Sequence, residues 1–198
     1  MKRGRRLISE AGLAYFVTTT LSGFVRLFDD ERYAHIILDN LDFYRRKFEF
    51  KLAGYVIMPS HLHMIVQPSP TGSLSEIMRD FKKHSAREII QKLEGDRRVD
   101  ILGFLRARAC TYHPKESRRY QVWEDRFDDV ALYSDDVFST KLCYIHDNPV
   151  KAGLSESAAD YPYSSARNYL YGDHSVLYVD CEMGLRIMEM ARQVRSGT

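Results

Sequence analysis

Three cysteines, six prolines and one tryptophan in 198 residues are notable mainly for what they leave out. Cys110, Cys143 and Cys181 are odd in number and widely spaced, with no Cys-x-x-Cys pair. That argues against a disulfide framework and a structural zinc knuckle, and for reduced thiols in a cytoplasmic protein. No run approaches the roughly 18 apolar residues of a membrane span, so no membrane partner is expected. The basic KRGRR ahead of LAYFVTTTLSGFV imitates a signal peptide. Three threonines break its apolar region and no small-residue cleavage site follows, so it reads as a strand after a basic arm. No G-x-x-x-x-G-K-[ST] loop is present, which excludes the P-loop route to nucleotide chemistry.

Charge of one sign is also nearly absent, at a net +2. Its distribution is less even. Between Arg79 and Arg126 lie 13 Lys/Arg against 8 Asp/Glu, and Lys2, Arg3, Arg5 and Arg6 crowd the N-terminus. Such patches are ordinary solvated faces about as often as nucleic-acid footprints.

What is present reads as alternating strands and helices. LAYFVTTTL (13–21) is apolar and β-branched. DERYAHIILDNLDFYRRKF (30–48) repeats its apolar residues at helical spacing, acidic at its start and basic at its end. FEFKLAGYVIMP (48–59) and HLHMIVQPS (61–69) are two further strands, with a tight turn at Pro59-Ser60. Residues 73–95 form a second helix, opened by a Ser73/Glu76 capping box and stopped by Gly95. Residues 96–122 read as an extended, mobile, basic connection, and 122–134 as a short strand with turns. Residues 134–154 begin with the N-cap Ser134 and run as a helix that Pro149 stops. Residues 160–172 read as loop and a short helix, and 182–195 as a last helix. The order β-α-β-β-α-(insert)-β-α predicts an α+β fold, a ferredoxin-like split βαβ whose antiparallel sheet carries helices on one face, plus a C-terminal helical extension. Residues 1–170 are expected to form one domain with a basic insert at 96–121, and 171–198 the extension.

Two stretches carry chemistry. In IMPSHLHMIVQP, His61 and His63 are two apart on one strand and share a face. Imidazoles are costly to bury without partners, and this spacing suits joint ligation of a divalent cation. A tight zinc site would need further strong ligands. Two imidazoles with oxygen donors suit Mg²⁺ or Mn²⁺ held partly by a substrate phosphate. In CYIHDNPVKAGL (143–154), Tyr144 and Asn148 share a helical face. A tyrosine becomes a nucleophile only when a base, cation or metal activates its phenol. Asn148 could offer a carbonyl oxygen to the same cation. Taken singly, any one of the 13 tyrosines is more simply a packing residue.

Together, GYVIMPSHLHMIVQP, VWEDRF, YIHDNPVKAGL and ADYPYSS, in that order, resemble the REP-associated tyrosine transposases, single-tyrosine members of the HUH endonuclease superfamily. The resemblance covers roughly residues 13–170. It implies a ferredoxin-like fold, His61 and His63 as metal ligands completed by Asn148, and Tyr144 as the nucleophile. The reaction implied is cleavage and rejoining of single-stranded or hairpin DNA from palindromic repeats, through a 5′-phosphotyrosine. Lys82, Lys83, Arg126 and Lys151, with Arg3, Arg5 and Arg6, are candidate DNA contacts, and Trp123 and Phe127 read as structural. The protein is expected to act as a monomer or homodimer. A noncatalytic hairpin-binding protein that kept the fold is the alternative.

Overall fold

The structure is a computed structural model that describes residues 12–112 and 119–184. A four-stranded antiparallel sheet runs in the order β2-β3-β1-β4, from β1 (Ala14–Thr20), β2 (Lys51–Met58), β3 (His61–Gln67) and β4 (Asp128–Leu132). This is the split βαβ arrangement the element order implied. Pro59 and Ser60 alone join β2 to β3, with Met58 opposite His61. The central pair, β1 and β3, runs in continuous register from Tyr15↔Val66 to Thr20↔His61.

Because side chains alternate along a strand, each strand feeds two cores. Tyr15 and Val17 of β1, Tyr55 and Ile57 of β2, and Leu62, Met64 and Val66 of β3 pack with α1 (Glu31–Phe48) and α2 (Leu74–Gly95). Ile37, Leu41, Ile77, Met78 and Phe81 form the facing helical stripe, all about fully buried. Ala14, Phe16, Val56 and Ile65 point the other way, into a smaller cluster with Phe138, Leu142 and Ile145 of α4 (Asp135–Lys151). The two long helices thus lie on one face as expected, and α4 covers part of the other.

Gly54 makes that second packing possible. At the irregularity in β2 a side chain on residue 54 would come within 2.8 Å of a Leu142 methyl. Only hydrogen there lets α4 lie this close to the sheet. Ser134 caps α4 as the sequence suggested, accepting a hydrogen bond from the Val137 N–H at 3.3 Å.

Four local expectations change. The connection at 96–122 contains a helix, α3 (Val99–Tyr112), which buries Leu105 and Ala109. Its apolar face is that narrow, and the surrounding arginines hid the period. Pro149 lies inside α4, which ends instead at a left-handed Gly153, φ 68°. The Leu154 N–H reaches back to the Pro149 carbonyl and the Gly153 N–H to Val150, the pairing of a Schellman end. Proline in the final turn deletes only one intrahelical donor, so the turn survives. Ser73 precedes α2 without capping it through its side chain. Arg97, φ 54°, rather than Gly95, takes the left-handed position after α2.

The short helix near 160–172 is present as α5 (Ala166–Tyr171). Beyond it, Leu177, Val179 and Cys181 are buried in the same core as α1 and α2. Asp180 pairs with the edge of β2, its N–H donating to the Leu52 carbonyl and its carboxylate accepting from the Leu52 N–H. The helix expected at 182–195 and the arginines of the N-terminal arm lie outside the described residues, apart from the start at 182–184.

Candidate active site

The site forms on the α4 side of the sheet, where the apolar cluster gives way to polar side chains. Thr18 and Thr20 of β1 stand opposite His63 and His61 of β3. The two imidazole centroids are 4.7 Å apart, as i, i+2 geometry dictates. Thr18 Oγ1 hydrogen-bonds His63 Nδ1 at 2.8 Å, and His63 stacks on Phe16 with centroids 5.3 Å apart.

His63 is 6 % exposed, and its Nε2 is buried without a partner. Burial, with smaller contributions from His61 and Lys141, pushes its pKa down to about 3. Burial also lowers that of His61. Both rings are therefore neutral near pH 7, the form in which imidazole binds metals.

Tyr144 comes from α4. Its ring is edge-on to His63 at 5.3 Å between centroids and edge-on to Phe16 at 5.8 Å. It keeps 41 % of its surface open, so the ring sits against His63 yet remains reachable from solvent. Lys141, one turn earlier, places its ammonium 4.6 Å from the Phe16 ring centre and 5.7 Å from that of Tyr144. Sequence reading missed Lys141. Its i, i−3 relation to Tyr144 was the available signal.

Asn148 lies one turn beyond Tyr144, and its Nδ2 is buried and unpartnered. Two of the residues singled out from sequence thus hold buried polar atoms without a partner. Thr19, Tyr55 and Gln121 do so elsewhere, but of these residues only His63 and Asn148 flank the exposed Tyr144. Among the described residues no third His, Cys, Asp or Glu joins the two histidines. The donor set fits a hard cation that keeps sites for oxygen ligands better than a closed zinc centre.

What holds α4 in place is a second histidine arrangement. His146 Nε2 hydrogen-bonds Ser165 Oγ at 3.0 Å, and that oxygen also accepts from the Tyr55 N–H. Burial pushes the His146 pKa down to about 4. Residues 161–165 run along β2: Ile57 N–H donates to the Tyr163 carbonyl, Ser165 N–H to the Tyr55 carbonyl, and Tyr161 Oη to the Ile57 carbonyl. ADYPYSS is thus the strip that fastens the tyrosine helix to the sheet.

The cations are distributed differently from one another. Lys82 reaches from α2 to the carbonyls of Glu124, Asp125 and Arg126 at 2.6–3.3 Å, so its ammonium shapes a loop. Lys83 is exposed on α2, on the face away from the histidines. Lys151 is exposed and pairs with Asp147 at 3.3 Å. Arg126 lines an open cleft of about 450 Å³ beside Thr18. Trp123 is a core residue, donating from its indole to Ser85 Oγ at 3.1 Å.

Residues 25–102 match the family model described as "Transposase IS200 like". A curated protein of Haemophilus influenzae, named "Putative REP-associated tyrosine transposase", is 24% identical over 175 residues, covering 83% of this chain and 85% of that one. The resemblance read from the motifs holds. This chain is thus similar to the IS200-like transposases over residues 25–102 and to a REP-associated transposase over most of its length. A solved REP-associated tyrosine transposase bound to a REP hairpin superposes with a TM-score of 0.64 at 21% identity, over 91% of this chain and 93% of that one. At that identity the likeness speaks for the fold, which it shares. Among the described residues no helix is long and apolar enough to cross a membrane.

Proposed function

We propose that the protein cleaves and rejoins single-stranded DNA beside a hairpin, with Tyr144 as the nucleophile. The observation that carries this reading is the packing of a solvent-reachable tyrosine directly against His63, whose buried Nε2 has no partner. Similarity to IS200-like transposases supports the reaction class. The hairpin bound to the solved relative supports the substrate.

His61, His63 and the side-chain oxygen of Asn148 would hold a divalent cation, Mg²⁺ or Mn²⁺. When bound, that cation supplies Lewis-acid polarisation of the scissile phosphate and offsets charge growing on its oxygens. Turning the Asn148 amide over exchanges nitrogen for oxygen at the buried position. The Tyr144 oxygen attacks phosphorus, the bond to the 3′ oxygen breaks, and that oxygen leaves as a 3′-OH after taking a proton. The DNA 5′ phosphate stays on the tyrosine as an ester. Lys141 sets positive charge beside the ring as the phenol gives up its proton. A second 3′-OH can reverse the exchange, since the ester conserves the phosphodiester bond and no nucleotide cofactor is consumed. Exposed cations such as Lys151 would meet the backbone.

Incubating the protein with Mg²⁺ or Mn²⁺ and hairpin-bearing single-stranded DNA tests the proposal. A covalent species that survives denaturation is expected with the native chain and absent with Tyr144→Phe. Tight binding without cleavage in either metal would instead favour the noncatalytic alternative.

A further inference from the structure

The cleft of about 450 Å³ lies on the histidine face, on the β4 side of the pair, lined by Thr18, Thr20, Phe24, Glu124, Arg126 and Asp128 among others. It begins at the threonine that hydrogen-bonds His63. Its volume falls in the range of about 300–1,000 Å³ typical of small-molecule sites. Phe24 is 69 % exposed, an unusual place for a phenyl ring, and its backbone has φ 57°. A bulky residue in that conformation persists only where its surroundings enforce it.

Here they do. The Ser22–Phe24 turn is braced by α3. The Phe104 ring packs so closely on Gly23 that any side chain at 23 would strike it. Arg108 of α3 donates to Ser22 Oγ and to the Glu124 carboxylate, which also accepts from the Gly23 N–H. Lys82 holds the opposite wall by the carbonyls of 124–126. A rigid scaffold therefore presents an exposed aromatic ring, an exposed guanidinium and the exposed carboxylate of Asp128, which has no ion-pair partner among the described residues.

We infer that this cleft is a single-nucleotide pocket, in which an unpaired base next to the cleavage site stacks on Phe24 while its edge meets Arg126 and Asp128. The carboxylates of Glu124 and Asp128 repel a phosphate, so a base edge suits the cleft better than backbone. A carboxylate accepts from an exocyclic amino group, favouring cytosine, adenine or guanine over thymine. Base–aromatic stacking supplies sequence-tolerant affinity beneath that preference. The inference rests on the proposed function, and it gives the helix within residues 96–121 a purpose, since α3 holds the stacking ring in place.

The test uses the full-length chain and hairpin oligonucleotides carrying 2-aminopurine singly at each unpaired position. Fluorescence is expected to quench strongly at one position in the native protein and in Tyr144→Phe, and to recover in Phe24→Ala. Phe24→Ala should bind such DNA about tenfold more weakly. Asp128→Ala should abolish the preference for an amino-bearing base over thymine at that position. Unchanged quenching in Phe24→Ala at every position would overturn the pocket, whatever the covalent species shows. Loss of the proposed chemistry would appear separately, as native protein that binds and quenches but forms no adduct.

Discussion

The two faces of the sheet are built from alternate residues of the same strands and do opposite things. On β3, Leu62, Met64 and Val66 enter a closed core with α1 and α2, each about fully buried. One residue out of phase, His61 and His63 look onto a face that α4 covers only in part. The closed face is filled by apolar side chains, with Tyr55 Oη and Thr19 Oγ1 buried in it, likewise unpartnered, on the side of the sheet away from Tyr144. The open face leaves His63 Nε2 buried and without a partner. A period of two lets one strand carry stability and chemistry without mixing them, and a one-residue slip would exchange the roles.

Exchanging a pair of neighbours breaks the comparison most sharply. Leu62→Ala should cost about 2–5 kcal/mol of stability by denaturant titration, as cavity-forming substitutions in closed cores do. His63→Ala should change stability far less, yet lower adduct formation by more than about a hundredfold, beyond the effect typical of outer partners of a metal site. Equal losses of stability in both would contradict the division of labour. Thr18→Val comes next: it removes the hydroxyl that orients His63 and should weaken Mn²⁺ binding by about 10–100-fold in calorimetry, with the fold intact by circular dichroism.

Gly54→Val probes how the open face receives α4. The added side chain meets Leu142, so overpacking should cost about 1–3 kcal/mol and lower adduct yield by shifting the tyrosine helix. A stable variant of full activity would show that α4 does not need this close approach. The smallest change expected is Ser165→Ala, which takes the partner from buried His146 and one acceptor from Tyr55. Thermal unfolding should report a loss of about 1–2 kcal/mol.

Residues with strong periodicity or strong turn chemistry announced their structure. The alternation of β1 and β3, the stripes of α1 and α2 and the Pro59-Ser60 turn lie where the sequence put them. The structure brings His61, His63 and Tyr144 together, as the motifs implied. Elements that depend on tertiary partners were not legible. The helix α3 buries only Leu105 and Ala109 completely, and it is held largely by Phe104 and Arg108 against a distant turn. Nothing in the local sequence singles out Phe24, whose turn is braced by residues of α3 some 80 positions away. Lys82 resembled a phosphate contact by composition, while its carbonyl partners are some 40 residues away.

The central claim is that Tyr144 becomes covalently joined to DNA. The most direct measurement is mass-spectrometric mapping of the protein after incubation with Mn²⁺ and a hairpin-bearing oligonucleotide, followed by nuclease and protease digestion. The account predicts a nucleotide phosphate on the peptide containing Tyr144, attached through the 5′ end of the cleaved strand. A modified peptide containing another residue, or cleaved DNA with Tyr144 unmodified throughout the reaction, would contradict it.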